Sequence, residues 1–211
     1  MSSVAITDIG SLVTNDPNIG DGNLGLRSNS ALIFEDGKIS WIGDAANLPS
    51  VDSKFSVEGK TVIPGFVDSH AHMVFAGDRS EEFSARMRGQ NYSAGGIKTT
   101  VAATRSASDT ELENNNSRLV AEMHRSGITT FESKSGYALD VENEARSLRI
   151  AKQFTDETTF LGAHVVPAEF ANRADEYVAL VIGEMLQAAK PHAKWIDVFC
   201  DRGAFDVDQA R

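Results

Sequence analysis

Pro64-Gly65-Phe66-Val67-Asp68-Ser69-His70-Ala71-His72 contains a short strand, Gly65–His70, apolar up to its polar end. Residues i and i+2 of an extended segment face the same side, so His70 and His72 can present two imidazoles to one metal ion. Imidazole suits zinc, iron, nickel and copper, so ligand type alone does not choose the metal. A bare His-x-His is more often structural than functional. Here it gains weight from its place at a strand end, after Pro64-Gly65, with Asp68 nearby as a partner for a ligand imidazole.

Downstream of this strand, strands and helices alternate. Asp109–Arg125 carries Leu112, Leu119, Val120 and Met123 at helical spacing, with Ser108 or Asp109 as N-cap and Gly127 just past its end. Ile128–Glu132 follows as a second strand, and Asp140 caps a helix through Phe154 whose inner side is Ala145, Leu148, Ile150 and Ala151. Thr158–His164 is a third strand, Asp175–Ala189 a third long helix, and Trp195–Cys200 a fourth strand. Strands joined by helices in strict succession imply parallel pairing with right-handed crossovers. Each strand ends in polar residues, as the active-site end of a (β/α)8 barrel requires. An open doubly wound sheet is the competitor, but its usual glycine-rich phosphate loop after the first strand is missing. Four βα units are half of such a barrel, and no helix is expected after Ala204, so the expectation is a barrel truncated after strand four.

Upstream, residues 1–63 read as strands at Val4–Ile9, Ser30–Phe34, Lys38–Ile42 and Phe55–Ile63, separated by turns such as Glu35-Asp36-Gly37 and Gly59-Lys60. A small antiparallel β unit is expected there, followed by the partial barrel at 64–211. The fold class is therefore α/β.

Composition narrows the function. Thirty acids against twenty bases give a net charge of −10, which argues against nucleic acid and leaves no basic face for a membrane. One cysteine, Cys200, excludes an internal disulfide, and it reads as a small buried apolar residue at a strand end. The first residues lack the basic and unbroken apolar regions of a secretion signal. A soluble cytoplasmic protein is expected.

The Pro64–His72 block resembles the signature of the amidohydrolase superfamily, in which a metal-binding His-x-His ends the first barrel strand and a β-sandwich portion flanks the barrel. The blocks that follow narrow the resemblance to imidazolonepropionases. They are Phe75-Ala76-Gly77-Asp78-Arg79-Ser80-Glu81-Glu82-Phe83, Gly95-Gly96-Ile97 with Thr104-Arg105, Lys134-Ser135-Gly136-Tyr137, Phe160–Pro167 and Asp197-Val198-Phe199-Cys200. The stretch between Tyr92 and Gly95 is shorter than in many relatives, and Asp201 stands where glutamate is expected. The resemblance implies one divalent or trivalent metal ion, zinc or iron, on His70 and His72. It implies contacts from Arg79, Tyr137 and His164 to 4-imidazolone-5-propanoate, and hydrolysis of that ring to N-formimidoyl-L-glutamate. The remaining metal ligands and the general base fall on later strands in that family, so no catalytic base is expected here. A homodimer is left open.

Plainer readings stand beside these. Arg79 alone would be a loop arginine, Tyr137 a turn tyrosine over an apolar edge, and His164 a satisfied strand-end histidine. Lys134 reads as structural, His124 and His192 as solvated or dipole-facing imidazoles, and Glu81 and Glu82 as a solvated helix start. The rival functions are another cyclic-amide amidohydrolase or aromatic deaminase, and a non-catalytic remnant.

Overall fold

The computed structural model describes residues 2–89 and 95–211, so the stretch from Tyr92 to Ala94 lies outside the described residues. The chain divides into two compact units, Met1–Gly65 and Phe66–Arg211.

In the first unit, β1 (Ser3–Thr7), β2 (Ser11–Val13), β3 (Leu26–Arg27), β4 (Ser30–Glu35), β5 (Lys38–Asp44), β6 (Ser53–Ser56) and β7 (Thr61–Val62) form two sheets, ordered β5-β4-β1-β6 and β3-β2-β7. The expected antiparallel unit is only partly so. β4 pairs antiparallel with β1 and β5, but β6 runs parallel to β1 and β7 parallel to β2. Alternation along a strand specifies which face is buried, and leaves the direction of its neighbour to the tertiary fold. Asp36 and Gly37 both take positive φ, 51° and 73°, which suits the tight turn joining β4 to β5. Ile9, Leu12 and Leu32 form the buried core of this unit.

The second unit is mixed α/β. It contains β8 (Phe66–Asp68), α1 (Ser80–Met87), α2 (Gly95–Ser106), α3 (Asp109–Arg125), β9 (Ile128–Phe131), β10 (Ser133–Lys134), α4 (Val141–Ala151), β11 (Thr158–Ala163), α5 (Ala174–Leu180), α6 (Leu186–Ala189), β12 (Trp195–Val198) and α7 (Val207–Ala210). β8 runs parallel to β9, and β10, β11 and β12 run parallel in that order. Glu132 N–H donates to the Asp68 carbonyl and Ser133 N–H to the Glu157 carbonyl, so β9 and β10 are one strand interrupted at Glu132. The four parallel strands therefore lie in chain order.

Local chemistry explains the helix ends. Ser108 caps α3 in a reciprocal box with Glu111, and Gly127 leaves it at φ 84°. Asp140 caps α4 through the Asn143 N–H, but α4 stops at Ala151 rather than Phe154. The single long helix expected over Asp175–Ala189 is broken. A wider π-type turn, Val181–Met185, separates α5 from α6, and Gly183 sits at φ −98°, ψ −109°, which a residue without Cβ reaches most easily. The sequence reading had no counterpart for α2 or for α7, the latter lying where no helix was expected; Glu81 and Glu82 do fall in the first turn of α1.

Tyr177, Phe160, Leu148, Leu139, Met185 and Phe205 form the larger buried cluster of this unit. Tyr177 is fully buried and donates its hydroxyl to the Gly162 carbonyl at 2.8 Å, so burial costs no unpaired hydroxyl. Cys200 is exposed, not buried, because it lies past the end of β12 and bridges only to Phe205. No helix among the described residues is long and apolar enough to cross a membrane.

Candidate active site

The segment after β8 is held from both sides. Asp68 Oδ1 accepts from the backbone N–H of His70 at 3.1 Å, and the Ala71 carbonyl accepts from Lys134 N–H at 2.8 Å. Asp68 thus orders the backbone that carries His70, a different task from the imidazole partner expected of it. The chain then runs to Arg79 along a loop pinned by Thr104, whose hydroxyl accepts from Ala76 N–H, and by Asn115, whose amide donates to the Phe75 carbonyl.

Four aromatic side chains converge at the ends of these strands. His70 lies edge-on to His72 with ring centroids 5.5 Å apart. Tyr137, from the loop after β10, is 4.8 Å from His72, and His164, just past β11, stacks on His72 at 4.9 Å. Tyr137 and His164 are 5.4 Å apart. Phe199 packs edge-on against His164, with ring centroids 5.8 Å apart. A cleft of about 680 Å³ opens beside this group, lined by His72, Phe75, Arg79, Asn115, Arg118 and Tyr137. His70 and His164 do not line it and join the group through their rings against His72.

Electrostatics favour the neutral form of His72 and of His164. Burial, with His164 and His70 as neighbours, pulls the His72 pKa down to about 3. His164 is also lowered, first by burial and then by the nearby charges of His70 and Arg79, against a backbone hydrogen bond to Gly136. That bond runs from His164 Nδ1 to the Gly136 carbonyl at 2.8 Å. A carbonyl only accepts, so Nδ1 carries the proton and Nε2 the lone pair. His72 Nδ1 is buried without a hydrogen-bond partner, a ring nitrogen available to a Lewis acid.

Lys134, read as structural from the sequence, makes two ion pairs. Its ammonium is buried between Glu132 at 2.8 Å and Asp197 at 2.9 Å, tying the second parallel strand to the fourth. Glu144, on α4, was missed by sequence reasoning. Its carboxylate is fully buried and accepts from the backbone N–H groups of Gly136, Ala138 and Leu139 at 2.8–3.1 Å. A glutamate in the first turn of an amphipathic helix ordinarily complements the helix dipole at the surface, so nothing local signals this use.

No family model matches the chain. The curated imidazolonepropionase of Nocardia farcinica is 56% identical over 210 residues, covering 100% of this chain and 54% of that relative. The imidazolonepropionase of Mycolicibacterium smegmatis is 58% identical over 211 residues, covering 100% of this chain and 53% of the relative. The chain spans about half the length of the curated relatives it matches. Among solved structures, a triazine hydrolase from Arthrobacter aurescens aligns with 99% of the chain and 49% of its own, at TM-score 0.57 and 14% identity, a likeness of fold alone. From end to end, the chain is identical to these imidazolonepropionases at more than half of its positions.

Proposed function

We propose that the chain is part of a hydrolase that opens the ring of 4-imidazolone-5-propanoate to give N-formimidoyl-L-glutamate, a step of L-histidine degradation. The observation that carries this reading is the convergence of His70, His72, Tyr137 and His164, each ring 4.8–5.5 Å from its neighbours, with Arg79 on the wall of the adjoining cleft. The identity to imidazolonepropionases supports the same substrate. The parallel strands in chain order, and the likeness to the triazine hydrolase, support reading 64–211 as about four βα units, half of a (β/α)8 barrel, with 1–63 as a flanking β-sandwich portion.

Two imidazoles side by side, one with a buried Nδ1 that makes no hydrogen bond, fit two positions of a metal shell. Among the described residues no group of three His, Cys, Asp or Glu completes such a shell. His70 and His72 would therefore hold one zinc or iron ion together with ligands from elsewhere in a longer protein. Bound there, the ion would supply Lewis acidity, polarising the ring carbonyl and lowering the pKa of water.

The chain's own residues bind and orient. Arg79 takes the propionate through its planar fork, which adds geometry to charge. Tyr137 adds a hydroxyl donor beside it. His164, with Nδ1–H committed to Gly136, offers Nε2 as an acceptor of fixed direction. In the net reaction water adds across the ring amide. The hydroxyl goes to the carbonyl carbon, the C–N bond breaks, and the proton ends on the leaving nitrogen. The general base for this transfer is assigned to the part of the protein outside this chain. The proposed setting is the cytoplasm, with a small-molecule substrate and neither nucleic acid nor membrane as partner; a homodimer is compatible with it.

The test joins residues 1–211 to the second half of the Nocardia farcinica relative and measures N-formimidoyl-L-glutamate formation. Turnover of 4-imidazolone-5-propanoate is expected. Turnover instead of a cyclic ureide or an aromatic amine, by deamination, would transfer the chain to another amidohydrolase activity. A folded, metal-loaded product active on none of them would make it a remnant.

A further inference from the structure

We propose that Glu144 is a positioning residue for this site, fixing Tyr137 and the tautomer of His164 through the backbone of the loop between them; the inference rests on the site read above. Glu144 touches neither ring. Its carboxylate instead accepts from Gly136 N–H at 3.0 and 3.1 Å, Ala138 N–H at 2.9 Å and Leu139 N–H at 2.8 Å. Tyr137 lies between two of these donors, so its backbone is clamped on both sides. Positive φ at Gly136 (105°) and Leu139 (59°) turns the amides of this loop inward, making a cradle for an anion.

Gly136 links the cradle to His164. Its N–H bonds Glu144 and its carbonyl accepts from His164 Nδ1 at 2.8 Å. The fit leaves no slack, because a Cβ at Gly136 would stand 2.9 Å from His164 Nδ1 and from the Leu161 carbonyl. Any shift of Gly136 therefore moves the acceptor that selects the imidazole tautomer.

Helix capping does not account for Glu144. α4 already has its cap in Asp140, which bonds Asn143 N–H, while the Glu144 side chain turns back to the loop. A buried carboxylate is costly unless its hydrogen bonds are satisfied, and a leucine would pack the helix without that cost. Burial pushes the Glu144 carboxyl above the usual range, while the donors from Leu139, Ser135, Ala138 and Gly136 pull it back. What such a carboxylate contributes is a set conformation for residues 135–139.

The test uses the joined protein described above, labelled with ¹⁵N-histidine, the His164 signal being assigned with His164→Gln. In the unsubstituted protein His164 should be protonated at Nδ1 alone, and the amides of Gly136, Ala138 and Leu139 should exchange slowly. Glu144→Gln places an amide NH₂ against those donors. It should mix the tautomers and lower kcat about 10–100-fold with metal content unchanged, as small misplacements of reacting groups do. Glu144→Asp serves if Glu144→Gln does not fold. His164 protonated at Nε2 in the unsubstituted protein would overturn the proposal without any variant. So would a folded Glu144 variant that loses thermal stability yet keeps both the tautomer and kcat, since that is a purely structural role. Absence of turnover by the unsubstituted protein would count against the function read for the site, while the tautomer and exchange measurements would still decide on Glu144.

Discussion

The imidazole of His72 lies stacked on that of His164, centroids 4.9 Å apart and planes 13° from parallel, although the two residues come from different strand ends. Both are held neutral by burial, yet their free nitrogens differ. His72 Nδ1 is buried without a hydrogen bond, although the Ser135 backbone acts on the ring, whereas His164 Nδ1 is committed to Gly136. The first suits a metal ligand and the second a substrate contact.

That difference makes the first prediction. In the joined protein, His70→Ala and His72→Ala should each purify without tightly bound metal, because each removes one of the proposed ligands. His164→Gln should keep a full complement and lose turnover. Elemental analysis of the three variants decides it. Equal metal loss in all three would put His164 among the ligands, and a full complement in His72→Ala would remove His72 from them.

Arg79 lines the cleft with His72 and Tyr137, and its charge is felt at His164. Arg79→Gln should raise KM or lower kcat/KM by about 1.5–3 kcal/mol, the range for a hydrogen bond to a charged group, with bound metal unaffected. Steady-state kinetics on 4-imidazolone-5-propanoate and on an analogue lacking the carboxylate separate the cases. Equal losses on both would mean that Arg79 holds the loop and not the propionate.

Gly136→Ala should be more damaging than a change at an equally left-handed glycine in open space. Gly37 has φ 73° and no atom within 4 Å of the place a Cβ would take, so alanine there meets only the backbone penalty, on the order of 1 kcal/mol. At Gly136 the same penalty is joined by contacts under 3.0 Å with His164 and Leu161. Thermal unfolding should show the larger drop for Gly136→Ala, together with loss of activity that Gly37→Ala does not share. Matching drops with activity retained would mean that the loop shifts freely and His164 does not depend on it.

These sites show what was legible in the sequence. The span of α3 was legible because the N-cap chemistry at Ser108 or Asp109 and Gly127 past its end are local, while the choice of Ser108 and its box with Glu111 came from the structure. The break at Gly183 was not legible, since one glycine in an apolar-periodic run is often tolerated. Parallel pairing of β6 and β7 in the first unit depends on where the chain returns, which alternation does not encode. At the site, His70-Ala71-His72 announces itself by spacing. Tyr137 and His164 are drawn to it by a parallel sheet whose order the strand–helix succession suggested. Glu144 stayed hidden because its partners are backbone amides, and backbone groups have no signature of their own.

The last prediction concerns residues 1–211 alone, which should self-associate and should not catalyse. Among the described residues β8 pairs with β9 and β12 with β11, each on one side, so both outer strands of the parallel set present backbone groups to a neighbour. Their side chains are unusually exposed for apolar residues, at 56% for Phe66, 68% for Val67, 54% for Trp195 and 63% for Ile196. Exposed apolar strands with open edges are templates for pairing with another chain, and natural monomers rarely keep contiguous apolar surface beyond a few hundred Å². Two imidazoles without further ligands also make a weak metal site, and no described residue is cast as the general base. Sedimentation of the isolated chain should show dimers or larger species that grow with concentration. Substituting lysine for Val67 and Ile196 should shift the distribution toward monomer, because charge on an edge strand opposes pairing. A monomeric chain with a single cooperative unfolding transition would show that the open strands are tolerated as they stand. Ring opening by that monomer would show in addition that the residues needed for catalysis are already among these 211.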